Sequence, residues 1–344
     1  MKNIITVVAL FLVTLVAFAQ KDDTKPYQTK TFPASGIKAL NVRTSGGSIT
    51  VSGQNGEAKV EVYVRGNSWP NDLSQSEIED RLKEYDIIVK EEAGTIFCEA
   101  KRKNEDRDWN WKRSLSISFK VQVPTSTTTD LKTSGGSIHL DHLTGNQKFS
   151  TSGGSLHLDE LSGNIKGNTS GGSIELTNCK DVLDLATSGG SIKADQCKGD
   201  IRLVTSGGSI SLYNLDGTVQ ARTSGGSIKA NHVQGELVTS TSGGSIHMND
   251  IAASLKASTS GGSIEIEMTT LGKYLDLSTS SGGIRVQMPL NKGLDLDLRG
   301  NRVNVGSLSN FDGSIEKDRV VGRLNGGGTQ VTMRASSGSV SINR

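Results

Sequence analysis

Aromatic residues make up only 4% of the 344 positions, too few to fill a thick globular core, so the interior has to be narrow and aliphatic. An excess of one charge is missing too. Lys and Arg number 38 against 36 Asp and Glu, a net charge of +2, and the basic residues are scattered among acidic ones. Nucleic acid and anionic membrane surfaces are therefore poor partners. Cysteine is scarce: Cys98, Cys179 and Cys197 cannot all pair within the chain.

The chain has one long apolar run, residues 4–18, preceded by Lys2 and followed by the small-x-small site Ala17-Phe18-Ala19. That is the pattern of a secretory signal, with the mature chain expected to begin near Gln20. The run is short for a bilayer span and has no basic stop-transfer flank. No cysteine follows it closely, which argues against a lipid-anchored N-terminus. The expectation is export to the periplasm or cell surface of a Gram-negative bacterium, without membrane insertion after cleavage.

What the chain has in abundance is glycine, 41 in all, much of it in one phrase. Thr-Ser-Gly-Gly-Ser-Ile starts at Thr133, Thr169, Thr187, Thr205, Thr223, Thr241 and Thr259, with a Leu-ending copy at Thr151. Eight copies stand eighteen residues apart without a slip. A constant period with constant glycines marks one structural unit stacked on the next, and a unit of this length is one coil of a β-solenoid.

Counted from its Thr, each unit is apolar at positions 6 and 8, at 11, and at 15 and 17. In one copy these are Ile192, Ala194, Cys197, Ile201 and Leu203; in the next, Ile210, Leu212, Leu215, Val219 and Ala221. The pattern predicts two short alternating strands joined by corners, pairing in parallel register with the next coil. Lys193, Arg202, Ser211 and Gln220 then face water. Gly207-Gly208 and its equivalents are expected to take positive φ at a bend where a Cβ would strike the neighbouring coil. Position 13, glycine in most copies, marks a second corner, and Asn, Asp or His at positions 9 and 10 suits a third. Cys179 and Cys197 share position 11 in consecutive coils; in-register side chains point the same way, so they read as stacked core thiols, with a disulfide as the alternative. One coil buries too little apolar surface to stand alone, so the stack needs caps at both ends.

Residues 37–51 form an early coil, after which the period breaks. Ile78, Leu82 and Tyr85 at helical spacing predict an amphipathic helix over 73–85, capped by Ser74 or Ser76. Strands are expected at 87–89, 95–100 and 115–123. Beyond Ile264 the copies drift: Ser280-Ser281-Gly282-Gly283-Ile284 arrives late, and Ser336-Ser337-Gly338-Ser339-Val340 reads as a degenerate last coil. The expected organisation is a signal at 1–19, a linker at 20–36, an N-terminal β lobe with a helical insertion at 37–132, and a solenoid at 133–344. The fold class is all-β, mostly parallel.

Several stretches resemble the bacterial putative-adhesin family of exported β-solenoids, related to the toast-rack domains of envelope-stress proteins. They are the opening Leu40-Asn41-Val42-Arg43-Thr44-Ser45-Gly46-Gly47-Ser48-Ile49, then Val60-Glu61-Val62-Tyr63-Val64, Val121-Gln122-Val123-Pro124, and the closing Leu324-Asn325-Gly326-Gly327-Gly328. The resemblance covers nearly the whole mature chain. It implies a β-solenoid in the cell envelope and brings no catalytic residues with it.

Candidate sites are few. His139, His157 and His247 occupy position 7, with Asp141 and Asp159 nearby, but the same position holds Glu175, Lys193, Ser211, Lys229 and Glu265 elsewhere, as a solvated face does. Calcium-binding repeats would need Asp where Leu140, Leu158, Leu176 and Ala194 stand. No metal or cofactor is expected. A polysaccharide lyase or hydrolase needs cleft walls, and from Thr133 to Ser258 no coil carries an insertion to build them. Trp109 and Trp111, flanked by Arg107, Lys112 and Arg113, put two indoles on one side of an extended segment. Trp109, Trp111 and Arg113 are thus the candidate ligand contacts, for a glycan or a protein partner. The alternative is that these rings, with Trp69, cover the open end of the solenoid.

The function expected is a non-enzymatic structural or adhesive module of the envelope, binding a glycan or protein through extended faces. An envelope-stress accessory acting through the N-terminal lobe is the second reading, and a polysaccharide-active enzyme the third.

Overall fold

Alternating apolar and polar residues at positions 6 to 9 and 15 to 18 form two strands per unit, and each pairs with the same positions of the next unit. In the computed structural model, which describes residues 25–67, 73–103 and 114–343, Leu156 lies between Ile138 and Ile174, and His157 between His139 and Glu175. The second strand keeps the same step, with Lys148 beside Lys166 and Asp184 beside Arg202. The result is a mostly parallel β-solenoid of about 9 turns.

Inward positions stack into continuous apolar rows. Ile138, Ile174, Ile192, Ile210, Ile228 and Ile246 are all at most 1% exposed, and the rows at positions 8, 11, 15 and 17 are buried with them. Two exceptions are polar, Gln147 and Thr239. Gln147 interrupts the position-15 row at 1% exposure, yet it donates to the carbonyls of Thr127 and Thr144 and accepts from Thr129 Oγ1 at 2.7 Å. Phe149, at position 17, faces Gly167 in the next coil.

The Thr-Ser-Gly-Gly-Ser phrase is a hydrogen-bonded corner. From Thr133 to Thr259 each Thr is buried; its hydroxyl donates to the second glycine's carbonyl in the preceding coil and accepts the N–H of the second glycine in its own. For Thr205 these partners are Gly190 O at 2.8 Å and Gly208 N at 3.3 Å. The second Ser is laddered as well: Ser209 N donates to Ser191 Oγ at 3.2 Å, and Ser227 N to Ser209 Oγ. The paired glycines correct the expectation in one respect. None of them has positive φ. The second is required by close approach alone, because a Cβ on Gly208 would overlap the carbonyl of Gly190. Left-handed backbone occurs instead at position 10, as at His142, Asn178, Asn214 and His232, and at position 13, as at Gly145 and Gly217.

At both ends the chain doubles back. Strands Ala39–Arg43 and Ile49–Gly53 are not outermost: they lie between Thr95–Arg102 and Leu115–Val123 on one side and Thr128–Lys132 and Ile138–Asp141 on the other. Antiparallel strands close this end, with Tyr85–Glu92 on Thr95–Arg102, Ala58–Gly66 on Leu115–Val123, and Gln28–Phe32 on Ala58–Gly66. Gln28–Phe32 falls within the stretch expected to be a linker; its antiparallel pairing makes it part of the sheet. The same device recurs at the other end. Thr329–Ala335 and Ser339–Asn343 insert between Ile264–Thr279 and Ile284–Gln287 on one flank and Leu294–Arg299 and Arg302–Asn304 on the other. The last coil in sequence is therefore not the last in space. Arg319–Leu324 and Phe311–Ile315 then cap the sheet antiparallel.

The helix is shorter than its periodicity suggested, Gln75–Leu82. Ser74 caps it: its Oγ accepts Glu77 N–H at 3.3 Å and the Glu77 carboxylate accepts Ser74 N–H at 2.9 Å. Tyr85 instead begins a strand, drawn there by pairing with Arg102, and its hydroxyl accepts Leu115 N–H at 3.0 Å. The late repeat is a coil from Thr259 that reaches its neighbour only at Thr279; register slips on either side of Ile251 cancel, and the one between Ala253 and Leu255 absorbs the surplus. No helix among the described residues is long and apolar enough to cross a membrane.

Candidate functional site

Outward residues of neighbouring coils stand in register, so side chains far apart in sequence form rows along two long faces. On the face built by positions 6 to 9, the rings of His139 and His157 stack with centroids 4.5 Å apart and planes 6° from parallel. The row continues through Glu175, 3.8 Å from His157 Nδ1, to Lys193, 3.0 Å from Glu175. Beside it Ser52 Oγ donates to Asp141 Oδ1 at 2.7 Å, and His142 bridges Asp141 and Glu160 at 3.0 and 3.1 Å. Between the rows lies an open depression of about 610 Å³ bounded by Thr50, His139, His157, Asp159 and Asn178.

These imidazoles are tuned in opposite senses. Burial, and then the neighbouring His157, hold His139 below the ordinary histidine range. The hydrogen bond His142 makes to Asp141, and then the charge of Glu160, raise His142. Among the described residues no group of three His, Cys, Asp or Glu is disposed to hold a metal ion.

On the face built by positions 12 to 18 runs a trough of about 500 Å³ that passes over Phe149 and Gly167. One wall is the position-16 row, Asp130, Lys148, Lys166, Asp184 and Arg202; the other is the position-18 row, Lys132, Ser150, Asn168 and Ala186. Arg43 holds Asp130 at 2.7 Å, and Arg202 holds Asp184 at 2.8 Å. The trough opens into a second hollow of about 390 Å³ over the corners, lined by Ser150, Thr151, Ser152, Asn168 and Ser170. A third hollow, about 580 Å³, lies near Met268, Met288, Pro289 and Leu290.

Trp109, Trp111 and Arg113, with Trp69, lie outside the described residues, as does the expected signal segment. The cysteines are unpaired and buried. Burial pushes the Cys98 thiol up to about 12, and contact with Cys197, followed by burial, raises Cys179. Cys179 Sγ donates to Thr177 O at 3.3 Å and Cys197 Sγ to Asp195 O at 3.2 Å, so both serve as small core groups. Sequence reasoning picked out the position-7 histidines but not Lys132, Lys148 and Lys166. The signal was present at position 16 read down consecutive repeats, where Lys148 is followed by Lys166.

Residues 181–343 match the family described as Toastrack DUF4097. Among solved structures, a putative adhesin from Parabacteroides distasonis ATCC 8503 is 14% identical over 93% of this chain and 98% of that one, with a TM-score of 0.33. A putative adhesin from Parabacteroides merdae ATCC 43184 is 13% identical over 92% and 96%, TM-score 0.31. A putative cell adhesion protein from Clostridium sporogenes ATCC 15579 is 13% identical over 92% and 99%, TM-score 0.18. No curated protein matches the chain.

Proposed function

We propose that the chain is a non-enzymatic structural and adhesive module, exported to the envelope of a Gram-negative bacterium, that binds through its long strand-built faces. The observation that supports this reading is the unbroken register of coils from 133 to 258, which lays outward side chains in straight rows with no loop projecting over them. Such a surface offers many shallow contacts at fixed spacing. Affinity then comes from area and repetition, because each exposed polar contact is individually weak.

The test pairs cell fractionation with retention of purified protein on envelope glycans and envelope proteins. Recovery in the periplasm or at the surface, with retention spread over several outward substitutions, supports the reading. A cytoplasmic protein that retains nothing from the envelope overturns it.

A further inference from the structure

Outward charges in this solenoid are mostly balanced by the next coil. Glu175 meets Lys193, Asp184 meets Arg202, Lys198 meets Asp216 and Lys256 meets Asp276, all at 2.6 to 3.0 Å. In the trough the balance fails. Lys148 stands in register with Lys166, which sets their Cα atoms about 4.8 Å apart. Lys132 is diagonal to Lys148, two residues beyond its partner Asp130. Like charges placed directly across a ladder are unfavourable. Lys180 and Lys198 are paired in the same way, but Lys198 finds Asp216 at 2.6 Å. In the trough, Lys166 reaches Asp184 only at 3.6 Å, and that carboxylate is shared with Arg202. Lys132 and Lys148 make no ion pair among the described residues. Asp130, the other acid, is engaged by Arg43. The trough therefore holds positive charge that its own surroundings do not neutralise.

Its borders favour one class of anion. The trough floor lies at Phe149 and Gly167, and the adjoining hollow presents the side-chain hydroxyls and amide of Ser150, Ser152 and Asn168. Carboxylates beside many hydroxyls, on an extended chain, are the features of an acidic polysaccharide. We infer that this trough binds a uronate-bearing polysaccharide, with carboxylates on Lys132, Lys148 and Lys166 and sugar hydroxyls over the Ser150, Ser152 and Asn168 border. The inference rests on the reading of the chain as an envelope-binding module and names the ligand class of one face. Several exposed charge contacts act together, so binding is salt-sensitive.

The experiment uses the full exported chain and the double variant Lys148→Gln with Lys166→Gln, with Lys229→Gln from the opposite face as control. Each is passed over immobilised polygalacturonate, neutral dextran and polyglutamate, and its thermal unfolding is recorded. The expected result is retention on polygalacturonate that falls about tenfold or more in the double variant and is lost near 0.5 M salt. Melting should not fall in the double variant, since it relieves a like-charge pair, and Lys229→Gln should bind as the unaltered protein does. Equal retention of the double variant on polygalacturonate overturns the inference, and so does equal retention of the unaltered chain on polyglutamate, which would point to an acidic protein partner. An unaltered chain that ignores polygalacturonate but is held by envelope fractions overturns this inference and leaves the adhesive-module reading standing. Failure on both overturns both.

Discussion

The ring of Phe149 occupies the space in the next coil where a Cβ on Gly167 would stand. Both are at position 17, where the row otherwise runs Leu131, Leu185 and Leu203. The largest and smallest side chains sit side by side, so that their combined volume suits a two-coil slice of the interior. Gly167→Ala forces the ring to move and is expected to cost about 1–3 kcal/mol by overpacking. Phe149→Leu in the same molecule should recover much of that loss. Denaturant unfolding of the two single variants and the double variant checks this; strictly additive changes would show that the two residues are energetically independent.

The corner glycines should separate cleanly. A Cβ on Gly172 overlaps the carbonyl of Gly154, whereas on Gly171 it stands 3.5 Å from the nearest atoms, an ordinary contact. Gly172→Ala is expected to destabilise by roughly 3 kcal/mol or more, since a corner must be pushed off its neighbour, and Gly171→Ala by under about 1 kcal/mol. Melting temperatures of the two variants decide the matter, and similar values would refute the close-approach account.

Ile210 is fully buried between Ile192 and Ile228, and Ser211 beside it faces outward. Ile210→Asp places an unpaired charge in a continuous apolar row and is expected to cost roughly 3 kcal/mol or more. Ser211→Asp should be nearly silent. Equal losses in urea unfolding would mean that the faces are wrongly assigned.

Acid should act on His139. Because the folded state holds His139 below its usual value of 6.5, the unfolded chain binds its proton more readily. Its contribution is complete above the unfolded value and is lost as pH falls through it toward the lower folded value. His142 runs the other way: its raised folded value stabilises at acid pH and fades as pH rises through it, but solvent screens so exposed a group. His139→Gln is thus expected to flatten the fall in melting temperature between about pH 7 and pH 5. An unchanged slope would remove His139 as the acid-sensitive group.

Much of this molecule could be read from one repeat. Period 2 within the strands and period eighteen between coils place Ile192, Ala194, Cys197, Ile201 and Leu203 inward, and all five are buried. The corner was only half legible. Glycine suggested a conformational need, but the need at Gly208 is absence of a Cβ, and the reason for Thr205 appears only when two coils are stacked. Gln147 gave no local sign that it would be buried, because its partners Thr127 and Thr129 precede the regular repeats. The trough was missed for a similar reason: Lys132, Lys148 and Lys166 become neighbours through pairing across coils, which a linear scan for charged blocks does not register.

The doubling back at both ends has a mechanical consequence. In a simple stack the terminal strand has a partner on one flank and can be peeled off one bond at a time. Here Ser339–Asn343 is held by Ile284–Gln287 on one side and Arg302–Asn304 on the other, and Ala39–Arg43 is clasped likewise. Tension along either strand must shear two ladders at once, so the fold resists unravelling from these strands inward. Assembly bears the converse burden: the coil at 39–53 gains its second flank only once residue 141 has been made, and each end closes as a late clasp rather than a first nucleus.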